Sequence, residues 1–259
     1  MQSALRQLKK SIYQAQKDWR LQQRLGPMRY GQQHPAASEA FGHLWSRAQT
    51  PIKQRSPDPQ VNAQRLHNMQ LALQTLDGVV LHPQEWFGFW QQVPAPTLGN
   101  GFQAGPMLVR GQLTQAVGGG LCQVSTTIFQ AMLWANLDIL ERHNHSIDAH
   151  GADRFFTLGQ DATVAYGYKN LLARNPTITP LRLGIALSAD GKQMTAEVWG
   201  QAPNPQQVQV KSEILREIAP QPPHSRNGWQ VSTRRWVCRG TPETWQLSYE
   251  SLDTYHPHG

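Results

Sequence analysis

The sequence predicts an α+β fold: a helix that carries a cysteine, packed on a mostly antiparallel sheet, with an N-terminal helix and a C-terminal β extension. Three observations lead there. Helical periodicity is clear only in separated segments, near residues 3–25, 62–77 and 122–136. Short apolar runs bounded by turn residues fill much of the remainder, as strands do. Ala189-Asp190-Gly191 joins two of those runs as a hairpin turn would, and hairpins build antiparallel sheets. With 259 residues the chain holds one large domain or a domain with appendages. We divide it into a basic helix with a proline-rich connector (1–60), a central domain (61–202) and a β extension (203–259).

In the first helix Leu5, Leu8, Ile12, Ala15 and Trp19 recur at steps of three and four among Lys, Arg and Gln. That pattern predicts a surface helix packed along one narrow stripe; a membrane-surface or nucleic-acid-binding helix is the lesser alternative. Residues 26–60 contain Pro27, Pro35, Pro51, Pro57 and Pro59. Proline disrupts both helix and sheet, so loop or extended linker is expected, docked by Phe41, Leu44 and Trp45. Asn62 is placed to cap the next helix, in which Leu66, Met69, Leu73 and Leu76 share a face, and Gly78 can end it. Val79-Val80-Leu81 follows as a buried strand, and Phe87, Phe89 and Trp90 supply aromatic core. Met107 to Val109 and Leu113 to Val117 suggest a hairpin around Arg110-Gly111. Further strands are expected at 137–141, 162–166, 181–187 and 194–199, then at 207–214, 229–238 and 245–249.

The formal net charge of +7 favours anionic partners. The excess is concentrated near the two ends, in Lys9, Lys10, Lys17, Arg20, Arg24 and Arg29 and in Arg234, Arg235 and Arg239, so it says little about the central domain. Nucleic acid is therefore only a minor candidate partner. Cys122 and Cys238 lie far apart and neither belongs to a CxxC pair, which excludes a four-thiolate zinc site. No stretch approaches the ~20 apolar residues that span a bilayer. The N-terminus lacks the apolar core of a signal peptide, so a cytoplasmic address with reduced thiols is expected. No cofactor is expected.

Gly118-Gly119-Gly120 leads directly into the helix that begins near Cys122. Glycines permit positive φ and a tight path, and a turn of that kind at a helix start aims free N–H groups at one place. Those groups and the helix dipole favour a thiolate, and they are also placed to hold the oxyanion of an acyl-transfer intermediate. A small buried cysteine beside glycines that merely allow close packing has equal weight on the residues alone. Cys238, alternating with Trp236, reads as structural.

A nucleophilic thiol needs a base, and the base needs an orienting group. Downstream, His143, His145 and His150 are candidate bases, with Asp148, Asp153 and Asp161 as candidate orienters. His143 and His145 share a side if their segment is extended. The same spacing suits a metal site completed by Cys122, a third reading that we set below the other two.

The ordered runs GGGLCQVSTT, ERHNHS and GQDATVAYG, followed by Leu171 to Asn175, resemble the VanW-like family. So do Asp77-Gly78 with its following strand, and Pro83 to Phe87. The resemblance covers roughly Leu66 to Gly200. It implies a cell-wall or glycopeptide-resistance setting, supplies no secure reaction, and marks Cys122, Gln123, Ser125 and His145 as the positions to test. Arg142 lies in the same ERHNHS run. Gln84 occupies a place where the family usually has Gly, so a different turn is expected there. The position of His143 varies within the family, which favours His145. Asp161 lies where some members carry Gly, and many relatives have an export signal or membrane anchor.

The reading is therefore a cysteine-dependent enzyme acting on an amide or ester, with peptidoglycan peptides or their precursors as substrates. Cys122 is the nucleophile, His145 the base, and Asp161 or Asp148 the orienter. Gly118, Gly119, Gly120, Gln123, Ser125 and Arg142 are the candidate ligand contacts. A non-catalytic domain that recognises an anion through the glycine turn is the alternative.

Overall fold

The computed structural model describes residues 2–34, 39–109, 112–240 and 244–259. In chain order the elements are α1 (Gln2–Leu25), β1 (Gln32–Gln33), β2 (His43–Pro51), α2 (Pro59–Leu76), β3 (Val79–Leu81), β4 (Trp86–Gly88), α3 (Phe89–Gln92), β5 (Ala104–Val109), β6 (Gln112–Val117), α4 (Leu121–Trp134), β7 (Asp138–Glu141), β8 (Leu172–Arg174), β9 (Leu181–Leu187), β10 (Gln193–Gly200), β11 (Gln207–Ile218), β12 (Gly228–Cys238) and β13 (Trp245–Tyr255). The fold is α+β. The largest sheet has the order β1-β3-β9-β10-β2; β4-β8-β7, β11-β12-β13 and the β5-β6 hairpin form the others. Every pairing between these strands is antiparallel. The turn at Arg110-Gly111 lies outside the described residues.

Helix α4 is central. Leu121, Val124, Ile128, Phe129, Ala131, Met132 and Leu133 are all buried, and so are Gln123, Ser125, Thr126 and Thr127. A helix buried nearly all round must find partners for its polar groups inside the protein. Strand β2 supplies several: Ser46 Oγ donates to Ala131 O at 2.7 Å, and Thr50 Oγ1 meets Thr127 Oγ1 at 2.8 Å. At the other end Arg235 of β12, 1% exposed, donates to Leu133 O and Leu137 O at 3.1 and 2.9 Å. A guanidinium there satisfies helix-end carbonyls and complements the negative end of the dipole.

Four local expectations need correction. The proline-rich connector contains β2, an edge strand paired with β10. Its inward residues are Ser46, Ala48 and Thr50, small or polar side chains that give no apolar alternation, and its proline, Pro51, stands at the strand end. Residues 162–166 form no strand, because their backbone groups are bound elsewhere. Ala162 N donates to Thr126 Oγ1 at 3.0 Å, Ala162 O accepts from Ser125 Oγ at 2.5 Å, and Thr163 N donates to His143 O at 2.7 Å. Helix α2 is capped by Asp58, with Pro59 at its first position, while Asn62 Oδ1 accepts from Arg55 N and Ser56 N at 2.9 and 3.2 Å. In α1 the stripe of Leu5, Leu8, Ile12 and Trp19 faces solvent. The helix docks instead through polar contacts, Lys17 with Glu141 and Asp18 with Gln91.

The turn at Gln84 has left-handed geometry with a non-glycine residue, at φ 66°. Gln84 N donates to Asn175 O at 2.9 Å, which ties the turn to the segment after β8 and leaves it little freedom to relax. A Cβ in that region costs about 1–2 kcal/mol, partly offset because glycine loosens the unfolded chain. Gln84→Gly should therefore stabilise the fold by about 0.5–1 kcal/mol in urea denaturation. A loss of stability would show that contacts of the exposed side chain outweigh the backbone strain.

Candidate functional site around Cys122

The turn before α4 requires glycine on two grounds. Gly118 and Gly120 have φ of 91° and 106°. A Cβ on Gly119 would lie 2.5 Å from the Gly105 carbonyl carbon, so β5 could not approach. Gly120 is the N-cap, which places Cys122 at the second helical position. The Gln123 and Val124 amides bond back to Gly120 O, whereas none of the described backbone hydrogen bonds comes from the Gly120 or Cys122 amide. Cys122 is a free thiol of intermediate exposure.

Three residues that the sequence singled out meet here. The Cys122 thiol lies 3.2 Å from Thr163 Oγ1 and 3.6 Å from Val164 O, and His145 acts on it as a hydrogen-bond and charge partner. The other side of the imidazole is fixed: His145 Nδ1 bonds Asp161 Oδ2 at 2.5 Å, and the ring stacks on Phe156 at 5.4 Å between centroids. Asp161 is fully buried and accepts from the His145 backbone N–H at 2.7 Å, from Arg142 Nη2 at 3.0 Å and from Tyr255 Oη at 2.5 Å. Arg142 also reaches Asp253 at 2.5 Å, so cation and carboxylate alternate through the buried network.

The electrostatics follow from this chain. Burial opposes ionisation of Cys122, but the His145 hydrogen bond and charge outweigh it, with help from Thr163 and Val164, and the thiol pKa is lowered. Burial likewise opposes a charged His145, yet Asp161 and Cys122 push its pKa up to about 10. Asp161 is held below the ordinary carboxylate range despite its burial, first through His145 and then through Arg142 and Tyr255. Each charge of the pair stabilises the other, so thiol and imidazole titrate as a unit.

The remaining candidates are placed as follows. Asp148 pairs with Arg154 at 2.9 Å and accepts from Gly151 N, so it does not orient the imidazole. Gln123 is buried between Arg65, Thr50 Oγ1 and Pro51 O. Ser125 donates to Ala162 O. Arg142 is turned toward Asp161 and Asp253, and its side chain is 4% exposed. His143 pairs with Glu141 at 2.9 Å. Among the described residues, no three His, Cys, Asp or Glu side chains are grouped to hold a metal ion. Thr163 lies within the GQDATVAYG run but is not singled out there, and Phe156, Asp253 and Tyr255 carry no sequence signal; the last two come from a strand more than a hundred residues beyond Cys122.

A cavity of about 690 Å³ opens over the thiol. Gly118, Gly120, Cys122, Gln123 and His145 line it, with Trp90, Phe155, Phe156 and Tyr166 as aromatic wall. Such a cavity, apolar with a few convergent polar groups, is the usual form of a small-ligand site.

A glycine turn, a thiol at a helix start and a largely enclosed histidine behind it characterise a protein built around a thiol–imidazole pair on an antiparallel α+β frame. The family model described as VanW like protein matches residues 64–199, and the chain belongs to that family. Uncharacterized protein YoaR of Bacillus subtilis (strain 168) is 36% identical over 120 residues, which cover 46% of this chain and 38% of that protein. Vancomycin B-type resistance protein VanW of Enterococcus faecalis (strain ATCC 700802 / V583) is 29% identical over 136 residues, covering 52% of this chain and 49% of that protein. The chain thus spans less than half the length of either relative. No solved structure matches it significantly. No helix among the described residues is long and apolar enough to cross a membrane.

Tyr255 donates to Asp161 and accepts from Gly159 N at 2.8 Å. Tyr255→Phe leaves both groups a partner short and should cost about 1–3 kcal/mol in thermal or urea unfolding. Asp161, with its lowered pKa, stabilises the fold above the ordinary carboxylate pKa, and that contribution is lost as pH falls through its own lower value. Weakening its partners moves the acid limb of stability to higher pH. An unchanged acid limb in Tyr255→Phe would mean that the hydroxyl does not support the carboxylate.

Proposed function

We propose that the protein is a cysteine-dependent acyl-transfer enzyme acting on an amide or ester, with peptidoglycan peptides or their precursors as the substrate class. The observation that carries the reading is the Cys122–His145–Asp161 chain, in which a lowered thiol pKa and a raised imidazole pKa meet at the floor of a cavity. Perturbed groups coupled in this way in a cleft are what covalent catalysis requires. The vancomycin-resistance name of one relative supports the choice of cell-wall peptides.

In this mechanism the Cys122 thiolate attacks the carbonyl carbon. The developing oxyanion is held by the N–H groups at the start of α4, the Cys122 amide among them. His145 passes its proton to the leaving amine or alcohol as the C–N or C–O bond breaks, and a thioester remains. His145 then takes a proton from the incoming water or amine as that group attacks the thioester, and the thiolate is restored. Asp161 holds the imidazole in one orientation and stabilises its charged form, as the third member of other nucleophile triads does.

Two measurements test the reading. In a Cys238→Ala background, iodoacetamide should alkylate Cys122 with a midpoint below the ordinary thiol value of 9.0. His145→Ala removes the charge that outweighs burial, so the midpoint should rise. Once the midpoint lies above pH 7, the alkylation rate at pH 7 should fall about tenfold for every further pH unit by which it moves up. Cys122→Ser should abolish turnover of cell-wall peptides while leaving the fold intact, and turnover by the unmutated protein should decline above about pH 10, where His145 loses its proton. A thiol that alkylates only with a midpoint near or above 9.0 would remove the nucleophile and leave the anion-binding alternative.

A further inference from the structure

The charge on the cavity wall is lopsided. Lys10, Arg55, Arg65 and Lys169 line it against a single carboxylate, Asp148, which is already paired with Arg154. Arg65 is the most deeply buried of these cations. It is 6% exposed, and its guanidinium donates to two neutral acceptors, Lys53 O at 3.1 Å and Gln123 Oε1. Its Cγ packs where a Cβ on Gly120 would stand, directly under the turn that leads to Cys122. Arg55 donates to the backbone carbonyl of Asp153 at 3.0 Å, while the carboxylate of Asp153 is exposed and held by Lys53 at 2.9 Å. Among the described residues, neither arginine has a carboxylate within ion-pair distance.

Arg55 also acts on Arg65. Burial and the neighbouring Arg55 press the Arg65 pKa down to about 10. Burial, with Arg55 and Arg65 among the opposing charges, holds His150 down to about 4, so the third basic group in this part of the wall stays neutral. Taking a cation out of water without a counter-charge is unfavourable, and a ligand that brings the counter-charge recovers that cost on binding. Two guanidinium groups offer paired N–H donors, the geometry that suits a planar carboxylate.

We propose that Arg55 and Arg65 form a carboxylate-binding subsite of the Cys122 cavity, so that the substrate is a peptide or amide bearing a free carboxylate near the bond that is attacked. The attack on that bond rests on the acyl-transfer reading; the subsite itself rests on two cavity-lining arginines with no carboxylate among the described residues within ion-pair distance. The aromatic wall takes the apolar part of such a ligand, while the carboxylate fixes which carbonyl faces the thiol. Phosphate shares the negative charge, and the test separates it.

The full chain is titrated with N-acetyl-alanyl-alanine, with its C-terminal amide and with inorganic phosphate, and binding is followed by NMR or calorimetry. The free acid should bind at least about tenfold more tightly than the amide, and more tightly than phosphate. Arg55→Gln should weaken the acid at least about fivefold, and Arg55→Lys should restore part of the loss. Arg55 is only half-buried, so its variants should keep the thermal midpoint, which is checked alongside. Equal binding of acid and amide, no saturable binding of the acid, or indifference to Arg55→Gln would overturn the subsite. Preference for phosphate would overturn its assignment to carboxylates. Alkylation of Cys122 in the same samples separates the two readings: an inert thiol with carboxylate binding intact removes the enzyme and leaves the subsite, and a reactive thiol without discrimination does the reverse.

Discussion

The buried carboxylate of Asp161 is the group on which the site depends. A lone charge at that depth would be neutralised or excluded. It survives because the His145 backbone N–H, the His145 ring, Arg142 and Tyr255 all converge on it. The same contacts fix the ring orientation of His145, bring Arg142 inward and tie strand β13 to the central helix region. Charge then alternates from Cys122 through His145, Asp161 and Arg142 to Asp253. Breaking such a network at one member leaves the next one buried and unpaired, which is why its parts act together.

Helix α4 sets the second constraint. Its apolar surface makes it the axis of the core, and its polar side chains and terminal carbonyls must then be satisfied by other elements. Strand β2 does so along one flank through Ser46 and Thr50, and Arg235 does so at the C-terminal end. The loop at Ala162–Val164 does so on the Cys122 side, where Ser125 and Thr126 bond Ala162 while Thr163 and Val164 approach the thiol. Packing of the helix and presentation of the thiol are thus one arrangement. The glycine turn belongs to it as well, because Gly119 lets β5 come close and Gly120 makes room for Arg65.

The site extends past the segment that defines the family. The match ends at residue 199, yet Asp253 and Tyr255 of β13 complete the Asp161 environment, and Arg235 of β12 closes the C-terminal end of α4. Arg55, before the match, lines the same cavity. The matched segment therefore contains the thiol and its histidine, whereas the groups that tune and surround them come partly from flanking sequence of this chain.

The resemblance to the VanW-like family singles out His145, while the fold class, the helix that carries Cys122 and most of the strands are legible in the residues alone. Each of these is a local property: a glycine run that permits positive φ, an apolar period, a turn between two apolar runs. The rest comes from tertiary contacts. Strand β2 is invisible to a periodicity argument because its inward face is Ser, Ala and Thr, buried only because α4 offers them partners. The choice of Asp161 over Asp148 depends on which carboxylate is already taken, and Arg154 takes Asp148. Arg142 becomes a buried counter-ion because Asp253 arrives from the far end of the chain. The thiol pKa is lowered because a histidine beyond the helix is brought against it with its own charge stabilised from behind. Long-range ion pairs and burial follow no sequence period, so no local pattern could disclose them.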